Sequence, residues 1–155
     1  MELELRAGGG LNSFSNHLRA LTSICSTLTI AVRHDRWYMS AISPTMAAYA
    51  QVSFAPDLFS QWQVLNGSTL RAARRINGEV LLKALRHRPL DPLARCLLTL
   101  TSQSLGVRVV SKGGRERVYR LRVEETAWVT VNPPPLESQL SSPASNWVAT
   151  LQTLP

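Results

Sequence analysis

The sequence predicts an α+β domain in which short antiparallel strands predominate and two amphipathic helices interrupt them. Three observations carry that expectation. Alternating apolar segments lie between turn-forming clusters, as in residues 38–43 and 48–54 on either side of Pro44. Leu11, Phe14, Leu18 and Leu21 instead recur at helical spacing, and a second helical stretch follows Asn77. With 155 residues, 45% of them hydrophobic and 17% charged, the chain has apolar material for one core and is too apolar to be disordered as a whole.

Residues 1–7 alternate Leu3, Leu5 and Ala7 with Glu2, Glu4 and Arg6, the period of a half-buried strand, which Gly8-Gly9-Gly10 ends. The helix predicted over 11–23 turns Asn12, Ser15, Asn16, Arg19 and Ser23 away from its apolar stripe, with His17 at the edge. A strand is expected over 26–32, where Leu28 and Ile30 alternate with Thr27, Thr29 and Ala31. Arg33-His34-Asp35-Arg36 then turns the chain into the paired strands 38–43 and 48–54. Pro56 sits where helices begin, so 55–62 reads as a short amphipathic helical turn. Asn66-Gly67-Ser68 marks a further turn. Residues 70–76 read as an exposed basic strand, with Leu70, Ala72, Arg74 and Ile76 on one side and Arg71, Ala73 and Arg75 on the other.

Asn77 is a candidate cap for a second helix reaching about Arg88, where Pro89 and Pro92 stop it. Its spacing puts Glu79, Lys83 and Arg86 on one stripe and Val80, Ala84 and His87 on the next. Strands return at 96–101, 106–111 and 116–124, the last two joined by the hairpin signal Lys112-Gly113-Gly114-Arg115. In the final strand Tyr119, Leu121 and Val123 face one way, Val118, Arg120 and Arg122 the other. From Pro133-Pro134-Pro135 to Ala144 the composition is that of an extended linker, after which Trp147, Val148, Leu151 and Leu154 return to helical spacing.

No segment approaches the roughly 18 uninterrupted apolar residues of a membrane helix. Glu2 and Glu4 stand where a secretion signal carries basic residues. Cys25 and Cys96 are far apart and without metal-ligand spacing. They read as two thiols of a reducing compartment, with a disulfide as the alternative. His17, His34 and His87 lack Asp or Cys companions at ligand spacing, and Gly8-Gly9-Gly10 lacks the Lys-Ser/Thr of a phosphate-cradling loop. Acidic residues are few and scattered, so two-metal nuclease chemistry is not expected either. The expectation is a protein that is not an enzyme and holds no cofactor. Its net charge of +7 points to an anionic partner, with plain solubility as the alternative.

One stretch resembles a known family. Ala48-Tyr49-Ala50, Phe54-Ala55-Pro56, Leu58-Phe59 and Gln61-Trp62-Gln63 follow one another as in the first domain of the large, Rad-nine type subunit of the heterotrimeric DNA-damage checkpoint clamp, the nine-one-one ring. The order strand, helix, four strands, helix, three strands is also that of a sliding-clamp domain. The resemblance implies a processivity-factor-like fold of antiparallel sheets with two helices packed on one face. It implies a first clamp domain over 1–130, an interdomain connector over 131–143 and the first helix of a truncated second clamp domain over 144–155. It further implies a non-enzymatic, DNA-encircling scaffold of the nucleus, acting in damage response and repair. Its partners would be two other clamp subunits in a heterotrimer, duplex DNA, a clamp loader, and checkpoint or repair proteins.

In such clamps basic helix faces line the hole and hold phosphates without reading sequence. The resemblance therefore makes Arg19 and His17 on the first helix, and Lys83, Arg86 and Arg88 on the second, the candidate DNA contacts; a solvated helix face is the plain alternative. Clamp subunits join by main-chain pairing of edge strands. The candidate edge is 116–123, with Arg117, Tyr119, Arg120 and Arg122 as interface residues, where Arg115, Arg117, Arg120 and Arg122 would discourage indiscriminate pairing and suit an acidic neighbour. An ordinary protected edge is the alternative. Val129, Val131 and Leu136 would offer apolar contacts to partner motifs docked beneath the connector. Two other functions compete: a subunit of a replicative sliding clamp, and a basic α+β RNA-binding domain. Against the latter, no aromatic residue interleaves Arg71, Arg74 and Arg75 as a base-stacking platform requires.

Overall fold

The computed structural model describes residues 1–6, 8–64, 72–86 and 92–129. Alternating segments become strands, and the two stripes at helical spacing become helices. In chain order the described elements are β1 (Glu2–Leu5), α1 (Gly9–Ile24), β2 (Thr27–Val32), β3 (Trp37–Ile42), β4 (Tyr49–Phe54), one 3-10 turn (Pro56–Leu58), β5 (Phe59–Gln63), β6 (Ala73–Asn77), α2 (Gly78–Leu85), β7 (Leu93–Leu100), β8 (Ser104–Ser111), β9 (Glu116–Arg122) and β10 (Glu124–Thr126). They form two antiparallel five-stranded sheets, ordered β5-β1-β7-β8-β9 and β10-β6-β2-β3-β4.

That order contains an internal repeat. Elements β1-α1-β2-β3-β4-β5 and β6-α2-β7-β8-β9-β10 have the same succession, and each sheet takes the first and fifth strands of one set and the second to fourth of the other. Neither half owns a sheet. The halves are locked together where β1 pairs with β7 and where β6 pairs with β2. One contiguous apolar cluster fills the interior, from Leu3, Phe14 and Trp37 to Leu98, Val107 and Leu121. Trp37 stands 5.7 Å edge-on to Phe14 and 6.3 Å from the stacked ring of Phe59.

Helix α1 buries the four residues its spacing singled out, Leu11, Phe14, Leu18 and Leu21. Helix α2 is capped as expected, the Asn77 side chain accepting the Val80 N–H at 3.0 Å. The two helices pack against each other. They meet β2, β3 and β4 on one side and β2, β8 and β9 on the other. At the start of α2 a Cβ on Gly78 would lie 2.7 Å from Thr22 Cγ2 and 2.6 Å from Leu28 Cδ1, so glycine permits the close approach to α1 and β2. The β8–β9 hairpin turns through Gly114 at φ 79°, closed by the Gly114 N–H on the Ser111 carbonyl.

Several expectations need correction. Residues 59–63 form a strand beside β1, because Pro56 starts only a single turn and the chain must then supply β1 with a neighbour. The basic stretch is not an exposed strand. β6 lies inside its sheet between β10 and β2, and Arg74 is 2% exposed and paired with Glu125 at 3.5 Å. Helix α2 ends at Leu85, short of the Arg88 expected, Arg86 already being extended. The last strand of the sequence reading divides into β9 and β10, which belong to different sheets. The turn 66–68, Leu70, Arg71, His87, Arg88, the connector 131–143 and the helix 144–155 lie outside the described residues.

Candidate nucleic-acid interface and subunit edge

The exposed side of α1 carries Asn12, Asn16, Arg19, Ala20 and Ser23; that of α2 carries Glu79, Val80 and Lys83, followed by Arg86. Arg19 and Lys83 are thus open on neighbouring helices. Lys83 sits in the last turn of α2, where the helix dipole favours a cation. Arg86 caps that helix, and its carbonyl accepts a bond from Arg117 Nη2 at 2.9 Å. Arg117 of β9 therefore reaches to the helix side, an addition the sequence did not signal because the contact joins residues 31 positions apart.

His17 is differently disposed. Its Nδ1 lies 2.7 Å from the Ser13 carbonyl, which can only accept, so the proton sits on Nδ1; its ring stands edge-on to Phe54 at 5.7 Å. The ring is half-buried beside β4 while Arg19 is open. Arg88 lies outside the described residues.

Strand β9 pairs with β8 on one side and has no strand on the other among the described residues. Register separates the four candidate edge residues. Tyr119 opposes Val107 and Leu121 opposes Leu105, which puts Arg117, Tyr119 and Leu121 on the core side. Arg120 opposes Gly106 and Arg122 opposes Ser104, which turns both arginines to the outer face. On that face Arg95 donates to Glu4 at 3.1 and 2.8 Å, and Arg108 pairs with Glu116 at 2.8 Å. The Arg95 hydrogen bonds hold the Glu4 carboxyl below its usual range, and Arg95 and Arg108 are raised by bonding to their acids.

Charge is distributed unevenly between the halves. Residues 1–64 contain four basic and four acidic side chains, and the rest of the chain thirteen and six, so the whole net charge of +7 arises after Val64. On the outer face of the second sheet, Arg33 Cζ lies 5.3 Å over the Tyr38 ring and Trp128 meets that ring edge-on at 6.1 Å. Val129 is exposed beside Trp128; Val131 and Leu136 lie outside the described residues.

Among the described residues no three His, Cys, Asp or Glu side chains gather to hold a metal. Both cysteines are free thiols, and burial pushes Cys96 up to about 12, so it stays protonated at neutral pH. Among the described residues no helix is long and apolar enough to cross a membrane.

No protein-family model and no curated protein sequence matches the chain. Solved structures do. PCNA from Thermococcus kodakaraensis aligns with a TM-score of 0.70 at 17% identity, over 88% of this chain and 51% of that one. The PCNA2–PCNA3 complex from Sulfolobus tokodaii aligns with a TM-score of 0.67 at 14% identity, over 90% and 52%. The chain spans about half the length of either neighbour. At such identities the likeness is one of fold, and the fold is that of a sliding-clamp domain, α+β, with two antiparallel sheets and two paired helices.

Proposed function

We propose that the chain is a DNA-clamp domain, a non-enzymatic scaffold that holds duplex DNA by topology and weak phosphate contacts. The observation that carries this is the pairing of α1 and α2 within a clamp fold, with Arg19, Lys83 and Arg86 open on that side. In the assembled ring the helices face the hole, and the sheets form its wall. Cations on long side chains then attract phosphates of any sequence, and no base edge is read. Arg117 adds charge beside Arg86, and Arg88 and His17 complete the set. Residues 1–130 are the first clamp domain of the subunit, 131–143 the connector and 144–155 the entry to a second domain.

The finer identity we assign is the large subunit of the checkpoint ring, a nuclear scaffold for damage response and repair that a loader places on DNA beside two other clamp subunits. The segment from Ala48 to Gln63 supports it by resemblance. So does β9, because two copies paired through it would gather Arg117, Arg120 and Arg122 of both strands at one seam, which favours an unlike neighbour.

Fluorescence anisotropy of a labelled duplex titrated with the chain tests the DNA reading. Weak binding is expected, with log affinity falling against log salt at a slope of about −3 for three phosphates neutralised. Tight, sequence-dependent binding at physiological salt overturns it. Retention of RNA through high-salt purification favours the RNA-binding alternative, and a stable homotrimer by light scattering favours the replicative one.

A further inference from the structure

The outer face of the second sheet gathers aromatic rings and cations that the sequence keeps apart. Tyr38 of β3 and Trp128, just beyond β10, meet at 6.1 Å with their planes at 67°, and both are half-buried. They reach each other because the strands between them carry only methyl groups there. Ala31 of β2 opposes Tyr38, Ala73 of β6 opposes Thr126, and the two alanines are 6% and 2% exposed. Arg33 Cζ lies 5.3 Å over the Tyr38 ring. Arg36 Nη1 donates to Ser53 Oγ at 3.3 Å, and Ser53 opposes Tyr38. Arg75 Nη2 donates to Thr126 Oγ1 at 3.4 Å, one step along the same strand face from Trp128. All three arginines are exposed, and among the described residues none of them is ion-paired. Glu124, opposite Arg75, stands against this charge, while Asp35 of the β2–β3 turn lies 3.9 Å from His34.

We infer that this face binds an unpaired stretch of nucleic acid, with a base stacked on the Tyr38–Trp128 pair and its phosphates held by Arg33, Arg36 and Arg75. Rings in edge-on contact do not satisfy each other's flat faces, which leaves stacking surface for a planar base. An aromatic pair set among arginines is the combination that single strands require, since the rings take the base and the cations attract phosphate. Bases within a duplex already have both faces stacked, so the site selects unpaired strands. The stretch holding Arg74 and Arg75 has no aromatic residue of its own, and the fold supplies one by bringing Trp128 beside Arg75. Three exposed arginines outside any ion pair favour a polyanion over an apolar protein segment, which would use the rings alone. Trp37 and Met39 are fully buried on the core side of β3, so Tyr38 between them points away from α1. The site is therefore separate from the helix side and does not rest on the duplex reading.

Fluorescence anisotropy with the full chain tests the inference. Labelled oligo-dT and oligo-U of about ten nucleotides are compared with an abasic oligomer of the same length, a duplex, and the neutral peptide Ser-Leu-Ser-Phe-Ser. Oligo-dT or oligo-U is expected to bind and to quench tryptophan fluorescence, the tighter of the two showing whether the strand is DNA or RNA, and the abasic oligomer is expected to bind more weakly. Trp128→Ala should lower single-strand affinity by about tenfold and leave duplex binding and the thermal midpoint unchanged. R33E/R36E, which alters only exposed side chains, should lower it as well and flatten its salt slope by about 1. Equal binding of the abasic oligomer overturns the inference, because phosphate attraction alone would then explain the affinity. Single-strand binding that survives both variants overturns it too. If K83E/R86E weakened single-strand and duplex binding alike, both would belong to the helix side, and the outer face would be excluded. Quenching by the peptide but by neither oligonucleotide would assign the face to a protein partner and also overturn the inference.

Discussion

The two halves of the domain share a topology and differ in chemistry. Among the described residues the four buried Phe and Trp side chains, Phe14, Trp37, Phe54 and Phe59, belong to the first half, whose helix has 16 residues and whose charges cancel. The second half builds its share of the core from aliphatic residues such as Leu81, Leu98, Val107 and Val109, has a helix of 8 residues, and lies in the part of the chain that carries the whole net charge. One repeat supplies bulk to the core, and the other supplies charge to the surface. This division is workable because each sheet mixes strands of both halves, so that charge on β9 is braced by a core whose aromatic weight sits in α1, β3, β4 and β5.

The strongest attack on this comparison is Phe14→Ala. The ring is fully buried, 4.9 Å from Phe54 and 5.7 Å from Trp37, and its removal should cost about 4 kcal/mol. Leu81→Ala, in the second half, should cost about 3 kcal/mol. In both, urea unfolding followed by Trp fluorescence and by circular dichroism should remain one transition, since neither half owns a sheet. Separate transitions for the two probes would break the interlocked account. Next in size, Gly78→Ala should cost about 2 kcal/mol although alanine is the better helix former, because its methyl would meet Thr22 and Leu28 below 3 Å. A neutral or stabilising result would mean that the helices have room to part.

The charge side of the comparison is sharpened by reversing surface cations. K83E/R86E in the second half should lower duplex affinity by about tenfold and flatten the salt slope by about 2, and R19E in the first half should flatten it by only about 1. Equal losses for the two variants would make the first helix as important as the second. No loss in either would remove the helix side from the DNA reading.

Much of this was legible in the sequence, and the misses have physical causes. The α1 stripe, the Asn77 cap, the β3–β4 pair and the Gly114 hairpin are local patterns, and each stands where its residues put it. Residues 59–63 were misread because a helix start at Pro56 and a strand needed by β1 look alike over so few residues; the deciding partners are 54 to 61 positions away. Arg74 was misread because arginine signals exposure, and only the pairing of β6 between β10 and β2 shows it buried. The internal repeat was invisible because helices of 16 and 8 residues and unlike cores leave no sequence period. For the candidate site, Arg19 and Lys83 could be read from helix spacing and the two faces of the last strand from its alternation, but the contact of Arg117 with Arg86 joins residues 31 positions apart and needed the fold.

The smallest effects lie at the seam between halves, where Leu5 of β1 pairs with Cys96 of β7 and Glu4 reaches Arg95. The Glu4 carboxyl is held below its ordinary 4.5 chiefly by the Arg95 hydrogen bond, so the folded chain binds this proton less readily than the unfolded one. Its contribution is complete above 4.5 and disappears as pH falls through the lower folded value. Arg95 is 66% exposed, so solvent keeps the contribution small. Cys96 acts at the other limit. Burial raises its thiol from 9.0 to about 12, so the unfolded chain ionises first and stability declines as pH rises through that interval. Urea midpoints against pH should therefore fall at both ends. Glu4→Gln should flatten the acid limb and, because the Glu4 carboxylate adds to burial in raising the Cys96 thiol, relieve the alkaline limb slightly, whereas Cys96→Ala should flatten the alkaline limb alone. An alkaline limb untouched by Glu4→Gln would mean that no charge is felt across the seam and that the halves share only strands there.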